Sequence, residues 1–476
     1  MGNKISAGIG WKLMERFGVY GMQFVLQVIL ARLLNPEYYG ILSLMMVFTV
    51  LANVFVQNGF NTALIQNKNV TEDDYSSVFW VSTLIAIVLY AVLFFCAPII
   101  AVFYKMPEIV TPFRVLSLIL LPGALNSVQL AKVTKEMDFR TIFTSNIVSI
   151  VLSGVIGIIL AYFGAGLWAL VAQSLLNIIF SCVVMWFTVK WKPVFVCEWK
   201  RIKELFSFGW KLLVSSLLDI LSQDLSTMVI GLKYSADTLG MYNRGKQFPQ
   251  FFANSANGAI QSVLLPAMSL EQDDKSQVKS IVKNSISLSC YILFPVMAGL
   301  ASVAEPLVKL LLTDKWLPCV PYLQIFCITF AFFPVYISNL QAINALGRSE
   351  IFLKLEIIKK IIAISVLVIA VLKFNSPMAI ALSDVLMIPI SIYLNSFPNK
   401  KLISYGFWEQ IKDLSSSLML SVLMFACVWL ITLLNLGTVI TLIIQVVVGV
   451  VSYLLFSLIV RPKPFVMLLK NLKINI

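Results

Sequence analysis

The sequence contains no histidine among its 476 residues. That removes imidazole metal ligands, the Ser-His and Cys-His nucleophile pairs, and the commonest general base near neutral pH. Charge is scarce as well. Asp, Glu, Lys and Arg together make up 12% of the chain, roughly half of the ~25% found in an ordinary soluble domain. So few polar side chains could not cover the surface of a protein this size in water, which excludes an ordinary soluble enzyme. Seven cysteines, at 96, 182, 197, 290, 319, 327 and 427, form no CxxC or metal-like spacing and lie mostly in apolar runs. They read as small packing residues. No Walker A or GxSxG segment is present, and the predicted cytoplasmic loops are too short for an ATPase domain. Transport by such a chain would draw on an ion gradient, the membrane potential or the gradient of the substrate.

What the sequence has in abundance is apolar length. Hydrophobic residues make up 59% of it, and the mean hydropathy is +0.90. A membrane-crossing helix needs ~20 apolar residues. Windows of that size predict spans near 11–34, 38–60, 78–104, 109–131, 142–163, 166–188, 207–232, 240–268, 280–304, 318–346, 357–373, 376–397, 415–435 and 438–460. The expected fold class is therefore an all-α polytopic membrane protein with about 14 transmembrane helices. The runs lack the period-two alternation of barrel strands. The first apolar stretch is too long and too polar-studded for a cleavable signal peptide.

The net charge of +13 would suggest nucleic acid in a soluble protein, but here it follows the membrane. With a cytoplasmic N-terminus, 27 basic residues fall on inside segments and 9 on outside ones. Basic residues concentrate in cytoplasmic loops, so both termini are expected to be cytoplasmic. No nucleic-acid partner is expected. Lys190–Leu205 interleaves Trp191, Phe195 and Trp199 with five basic residues. This suits either a helix at the cytoplasmic interface or an ordinary basic loop.

An internal repeat is visible. Gly10-Trp11-Lys12-Leu13 recurs as Gly209-Trp210-Lys211-Leu212, Gly40 and Phe48 recur as Gly240 and Phe248, and Asn58-Gly59 recurs as Asn257-Gly258, at offsets of 199 or 200. Six spans separate the copies. An even number makes the repeat parallel, about an axis along the membrane normal. The predicted organisation is an N-lobe over 1–189, an interfacial linker over 190–205, a C-lobe over 206–400, and two further helices with a basic tail over 401–476. The two parallel six-helix lobes would surround a central cleft.

Polar residues within the spans carry the functional signal. Arg16, Tyr20, Gln23 and Gln27 are spaced to share one helical face. Their repeat equivalents Ser215, Asp219, Ser222 and Ser226 form a second stripe, and Arg244, Gln247, Asn254 and Gln261 a third. Asn53 and Gln57 lie in the second span. Polar groups in a span face the bundle interior or an aqueous cavity, or hydrogen-bond between helices to hold the bundle. Matched stripes in both halves favour the cavity. Arg16, Arg244 and Lys246, with Arg114, are candidate cations for an anionic headgroup, since guanidinium binds phosphate bidentately. The alternatives are snorkelling for Arg16 and Arg114, and a loop position for Arg244 and Lys246. Asp219, Asp224 and Asp384 are candidates for coupling to H+ or Na+, or for buried ion pairs such as Asp219 with Arg16. No cofactor or metal is expected.

The residues also resemble a family. Val28–Gln66 (VILARLLNPEYYGILSLMMVFTVLANVFVQNGFNTALIQ), Thr71–Trp80 (TEDDYSSVFW), Lys135–Arg140 (KEMDFR), Leu167–Gln173 (LWALVAQ) and Leu239–Gln247 (LGMYNRGKQ) are similar to segments of Wzx-type oligosaccharide flippases. So are Leu265–Ser269 and Gln272–Asp274. These flippases form the lipopolysaccharide, colanic-acid and teichuronic-acid branch of the multidrug/oligosaccharidyl-lipid/polysaccharide exporter superfamily. The resemblance covers roughly residues 5–400. It implies alternating access and an undecaprenyl-diphosphate-linked oligosaccharide as substrate, moved across the cytoplasmic membrane for surface polysaccharide synthesis. It implies no catalysis by the chain itself, with membrane lipids, a polysaccharide polymerase and glycosyltransferases as partners. Arg16 and Arg244 are the nearest matches to pyrophosphate-holding arginines. The resulting expectation for the substrate site is Arg16, Tyr20, Gln23, Gln27, Arg244, Lys246 and Asn254. Two other functions are weighed against this one, an ion-coupled multidrug exporter of the same superfamily and a membrane polysaccharide polymerase. The short outer loops disfavour the polymerase.

Overall fold

The computed structural model describes residues 18–66, 70–196, 198–271, 273–434 and 436–471. Every regular element among them is helical. Fourteen long helical segments follow one another: α1 (Tyr20–Leu33), α2 (Pro36–Gln66), α3 (Glu72–Phe103), α4 (Pro107–Lys135), α5 (Phe139–Tyr162), α6 (Leu167–Thr188), α7 (Trp199–Lys233), α8 (Ala236–Leu270), α9 (Lys275–Ser302), α10 (Asp314–Ala345), α11 (Ser349–Lys373), α12 (Pro377–Leu402), α13 (Phe407–Leu434) and α14 (Thr438–Val460). A short helix, Ala304–Leu312, precedes α10, and α15 (Lys463–Asn471) closes the described chain.

Eleven of these segments are long and apolar enough to cross a membrane, which makes the chain an all-α polytopic membrane protein. The other three are α1, α8 and α11. α8 is 35 residues long but studded with polar side chains, and α11 carries Lys354, Glu356, Lys359 and Lys360. Within α11, Lys359 pairs with Glu356 at 2.5 Å, which softens the local charge.

Helix boundaries follow local chemistry. α3 starts at a capping box in which Thr71 and Asp74 exchange side-chain and backbone hydrogen bonds, satisfying two of the free donors at the helix start. Asp138 and Asp274 cap α5 and α9 more simply, each side chain accepting from backbone N–H groups of the first turn. α10 breaks after Ala331, where Pro334 follows in the next turn without an N–H to offer. The α5–α6 connection turns through Gly164 and Gly166, both at positive φ.

The chain divides into two compact units, Met1–Gly240 and Met241–Ile476. α7 packs extensively on α2 and so belongs to the first unit. In the first unit, Leu26, Leu30 and Leu34 of α1 and its end meet Ile150, Ala161, Ala169 and Leu170 of α5 and α6. A Cβ at Gly157 would lie 2.8 Å from Gln173 Cβ, so α5 and α6 approach more closely there than larger residues would permit. In the second unit, α13 and α14 pack on α9. Tyr291 donates to Ser457 Oγ at 2.7 Å and Tyr453 donates to the Tyr291 carbonyl at 2.8 Å. The segment 189–196 is an extended strap rather than a helix, and helix resumes only at Trp199. Pro193 helps to explain this.

Candidate functional site

The first unit carries two of the polar stripes. On α1, Tyr20 is 51% exposed, Gln23 is exposed and Gln27 half-buried. Arg16 lies outside the described residues. On α7, Ser215, Asp219 and Ser222 are exposed, while Asp224 and Ser226 are half-buried. Leu26 and Leu30 on α1 and Leu213 and Ile230 on α7 are buried, while Phe24, Val25, Val214 and Leu218 are exposed like the stripes. The stripes are therefore not absorbed into the packing that holds these helices in place.

The first unit also carries a set of amides on α2 and α4. A Cβ at Gly123 would sit 3.4 Å from Asn53 Oδ1 and 3.6 Å from Gln57 Nε2, so α4 offers a small residue where α2 offers amides. Asn53, Asn61, Asn126 and Gln129 each hold a buried polar atom without a hydrogen-bond partner. Nearby, a cavity of about 290 Å³ is lined by Asn126, Thr134, Ser145, Asn146 and Ser181 among others. It is neutral and rich in hydroxyl and amide groups. Arg114 takes a different place, with Nε donating to the Phe94 carbonyl at 3.1 Å and its guanidinium 4.2 Å from the Phe94 ring centre.

In the second unit, Arg244 is 5% exposed. It donates to Gln247 Oε1 at 2.6 Å, and its guanidinium lies 5.0 Å from the Trp316 ring centre. The residues around it dock α8 on α10. Tyr242 is fully buried and meets Tyr322 and Phe326 edge-on. Gly245 sits so close that a Cβ there would lie 2.7 Å from Tyr322 Cβ. In this structure the Tyr242–Lys246 motif is a helix-docking element, with Arg244 at its centre.

Lys246 is half-buried, 5.9 Å from the Phe326 ring, and its charge acts on Asp384 of α12. The sequence suggested these two residues for separate tasks, and in the fold the charge of one reaches the other. Tyr336 of α10 also feels the Asp384 charge. Asn254, further along α8, is exposed. Asp219 and Asp224 belong to the first unit and Asp384 to the second. No group of three or more acidic or cysteine residues among the described residues is placed to hold a metal ion.

A buried amide cluster was not legible in the sequence. Asn339 donates to Gln410 Oε1 at 2.9 Å, Gln410 returns a bond to Asn339 Oδ1 at 2.9 Å, and Asn399 donates to Asn339 Oδ1 at 2.7 Å. All three are fully buried. Beside them, Tyr405 donates to Asp413 at 2.9 Å, and Lys279 and Lys283 pair with Glu409 and Asp413 at about 3.0 Å.

A bundle of apolar helices that leaves polar stripes exposed fits the design of a membrane transporter. Its fold is that of a solved transporter, lipid II flippase MurJ in an inward closed conformation. The TM-score is 0.74 and the identity 15%, over 96% of this chain and 99% of that one. Residues 29–321 match the polysaccharide biosynthesis protein family, and the chain belongs to that family. It is similar to teichuronic acid biosynthesis protein TuaB of Bacillus subtilis, with 26% identity over 73% of this chain and 72% of that protein. It is also similar to lipopolysaccharide biosynthesis protein WzxC of Escherichia coli, with 23% identity over 78% of this chain and 82% of that protein.

Proposed function

We propose that the protein is a flippase that carries an undecaprenyl-diphosphate-linked oligosaccharide across the bacterial cytoplasmic membrane by alternating access, with both termini cytoplasmic. One observation supports this most directly. The stripes at Tyr20, Gln23 and Gln27 on α1 and at Ser215, Asp219 and Ser222 on α7 remain exposed on helices of an otherwise apolar bundle. Neutral amides and hydroxyls suit sugar hydroxyls, which both donate and accept. The family to which the chain belongs and its relatives take part in polysaccharide biosynthesis, which agrees with a substrate of this kind.

In this reading the glycan lies along the α1 and α7 stripes, and the prenyl tail stays in lipid. Arg16 is the candidate contact for the diphosphate in the first unit, and Lys246 and Asn254 on α8 are candidate polar contacts in the second. Arg244 acts through Trp316 and Gln247 to fix α8, and so positions Lys246. Asp384 with Lys246, and Asp219 with Asp224, are the groups through which H+ or Na+ movement would drive transport. A polysaccharide polymerase and glycosyltransferases act before and after this step. The chain transports and does not itself catalyse bond formation.

Deletion of the gene tests the assignment. The glycan-lipid should accumulate in the inner leaflet and surface polysaccharide should fall. Unchanged polysaccharide with an unchanged leaflet distribution would refute it.

A further inference from the structure

The strap between α6 and α7 is held to the first unit at every turn. Ser76 Oγ accepts from Val194 N at 3.1 Å, Ser77 Oγ accepts from Glu198 N at 3.0 Å, and Trp80 Nε1 donates to the Val194 carbonyl at 3.0 Å. Arg201 pairs with the buried Asp74 at 3.2 Å. Trp191 and Ile202 are buried in a cluster with Phe60, Tyr75, Phe79 and Val128. The Thr71–Trp80 motif is thus the seat of the strap: Thr71 and Asp74 cap α3, and Asp74, Ser76, Ser77 and Trp80 fasten 191–201.

A strap so firmly fixed still turns large rings outward. Phe187 and Phe195 are each 88% exposed and Trp199 is 70% exposed. Phe195 leans on Trp80 at 4.8 Å between ring centres, which fixes its direction. Lys190, Lys192 and Lys203 are exposed beside these rings and have no ion-pair partner among the described residues. The one exposed carboxylate in the strap is Glu198. Aromatic rings of this kind settle at the headgroup level of a bilayer, and unpaired lysines there attract anionic headgroups.

We propose that residues 187–196 and 198–203 form a binding site for the phosphate headgroups of anionic phospholipids, seated on α3 and reading the bilayer surface next to the start of α7. The aromatic rings enter the interface and Lys190, Lys192 and Lys203 contact the headgroup phosphates. The site is independent of the transported substrate. It ties the α6–α7 connection, where the two repeats join, to the charge of the membrane.

Native mass spectrometry of the intact protein tests this, with titrations of phosphatidylglycerol and phosphatidylcholine. The wild type should retain phosphatidylglycerol in preference. The preference should fall by about fivefold for each lysine removed in Lys190→Gln, Lys192→Gln and Lys203→Gln. Phe195→Ala with Trp199→Ala should weaken both lipids. In bilayers, brominated phosphatidylglycerol should quench wild-type fluorescence more than that of Trp199→Phe. An undiminished preference in the triple lysine variant would overturn the proposal. So would an equal loss in a control with Lys412→Gln and Lys463→Gln, or displacement of the lipid by millimolar inorganic phosphate.

Discussion

Gly40 and Gly240, equivalent positions of the internal repeat, meet in the first unit. A Cβ on Gly40 would fall 1.8 Å from the Ala236 carbonyl oxygen, and one on Gly240 would fall 2.0 Å from the Pro36 carbonyl oxygen. The starts of α2 and α8 cross there backbone against backbone, and no side chain fits. The repeat register that the sequence shows is thus also a contact. Gly40→Ala and Gly240→Ala should each destabilise the protein by about 1–3 kcal/mol, the usual range for overpacking, because the opposing atoms are backbone and cannot rotate away. Thermal unfolding in detergent measures this, and alanine variants that melt like wild type would contradict the contact.

Arg244 is buried over Trp316 and bonded to Gln247. Arg244→Ala should lower the melting temperature and the yield of folded protein, by roughly 2 kcal/mol for a desolvated cation–π contact. Arg244→Lys should recover part of the loss, because the charge is kept and the planar fork is not. Full stability in Arg244→Ala combined with lost transport would instead make Arg244 a direct contact to the diphosphate.

Lys246 and Asp384 form one electrostatic unit on α8 and α12. Lys246→Met should impair folding and transport more than Lys246→Met combined with Asp384→Asn, because the single change removes a positive charge that acts on the Asp384 carboxylate. A double-mutant cycle on protein stability, together with the pH and sodium dependence of transport, measures the coupling. Additive effects with unchanged ion dependence would separate the two residues.

Asn339 links Gln410 and Asn399 in a fully buried cluster. Gln410→Leu should cost about 1–3 kcal/mol, the penalty for leaving amide groups buried and unpaired. A stability close to wild type, measured by thermal unfolding, would count against the network.

Burial, and then the neighbouring Asp413 carboxylate, hold the Tyr405 hydroxyl above the usual phenol range. The fold therefore favours the protonated form. Its stabilisation is complete below the ordinary value of about 10 and is lost as pH rises through the shifted value. Wild type should lose more stability than Tyr405→Phe between about pH 9 and about pH 11, as read by melting temperature.

These predictions also mark how far the sequence could be read. The helical, membrane-spanning class and the repeat register were legible because they rest on local hydropathy and on spacing. The amide cluster was not. Hydropathy windows ended one span at 397 and began the next at 415, so Asn399 and Gln410 looked like loop residues. The helices in fact run to Leu402 and start at Phe407, continued by polar side chains that satisfy one another. Arg244 was visible as an intramembrane cation, but its partner Trp316 lies far along the chain, and no local pattern announces that contact. The interleaved aromatics and lysines of the strap left an interfacial helix and a basic loop equally open. The serines that hold it extended lie in a motif more than a hundred residues earlier.

The central claim is transport of a diphosphate-linked glycan by this chain alone. The most direct measurement reconstitutes the purified protein in liposomes carrying a defined undecaprenyl-diphosphate oligosaccharide in both leaflets, and follows access of a membrane-impermeant glycan-modifying probe. The account predicts that the wild type exposes the inner pool to the probe, while protein-free vesicles and a variant with Gln23→Leu and Asp219→Leu do not. An inner pool that stays protected in vesicles holding folded wild-type protein, with proton or sodium gradients of either direction applied, would contradict it.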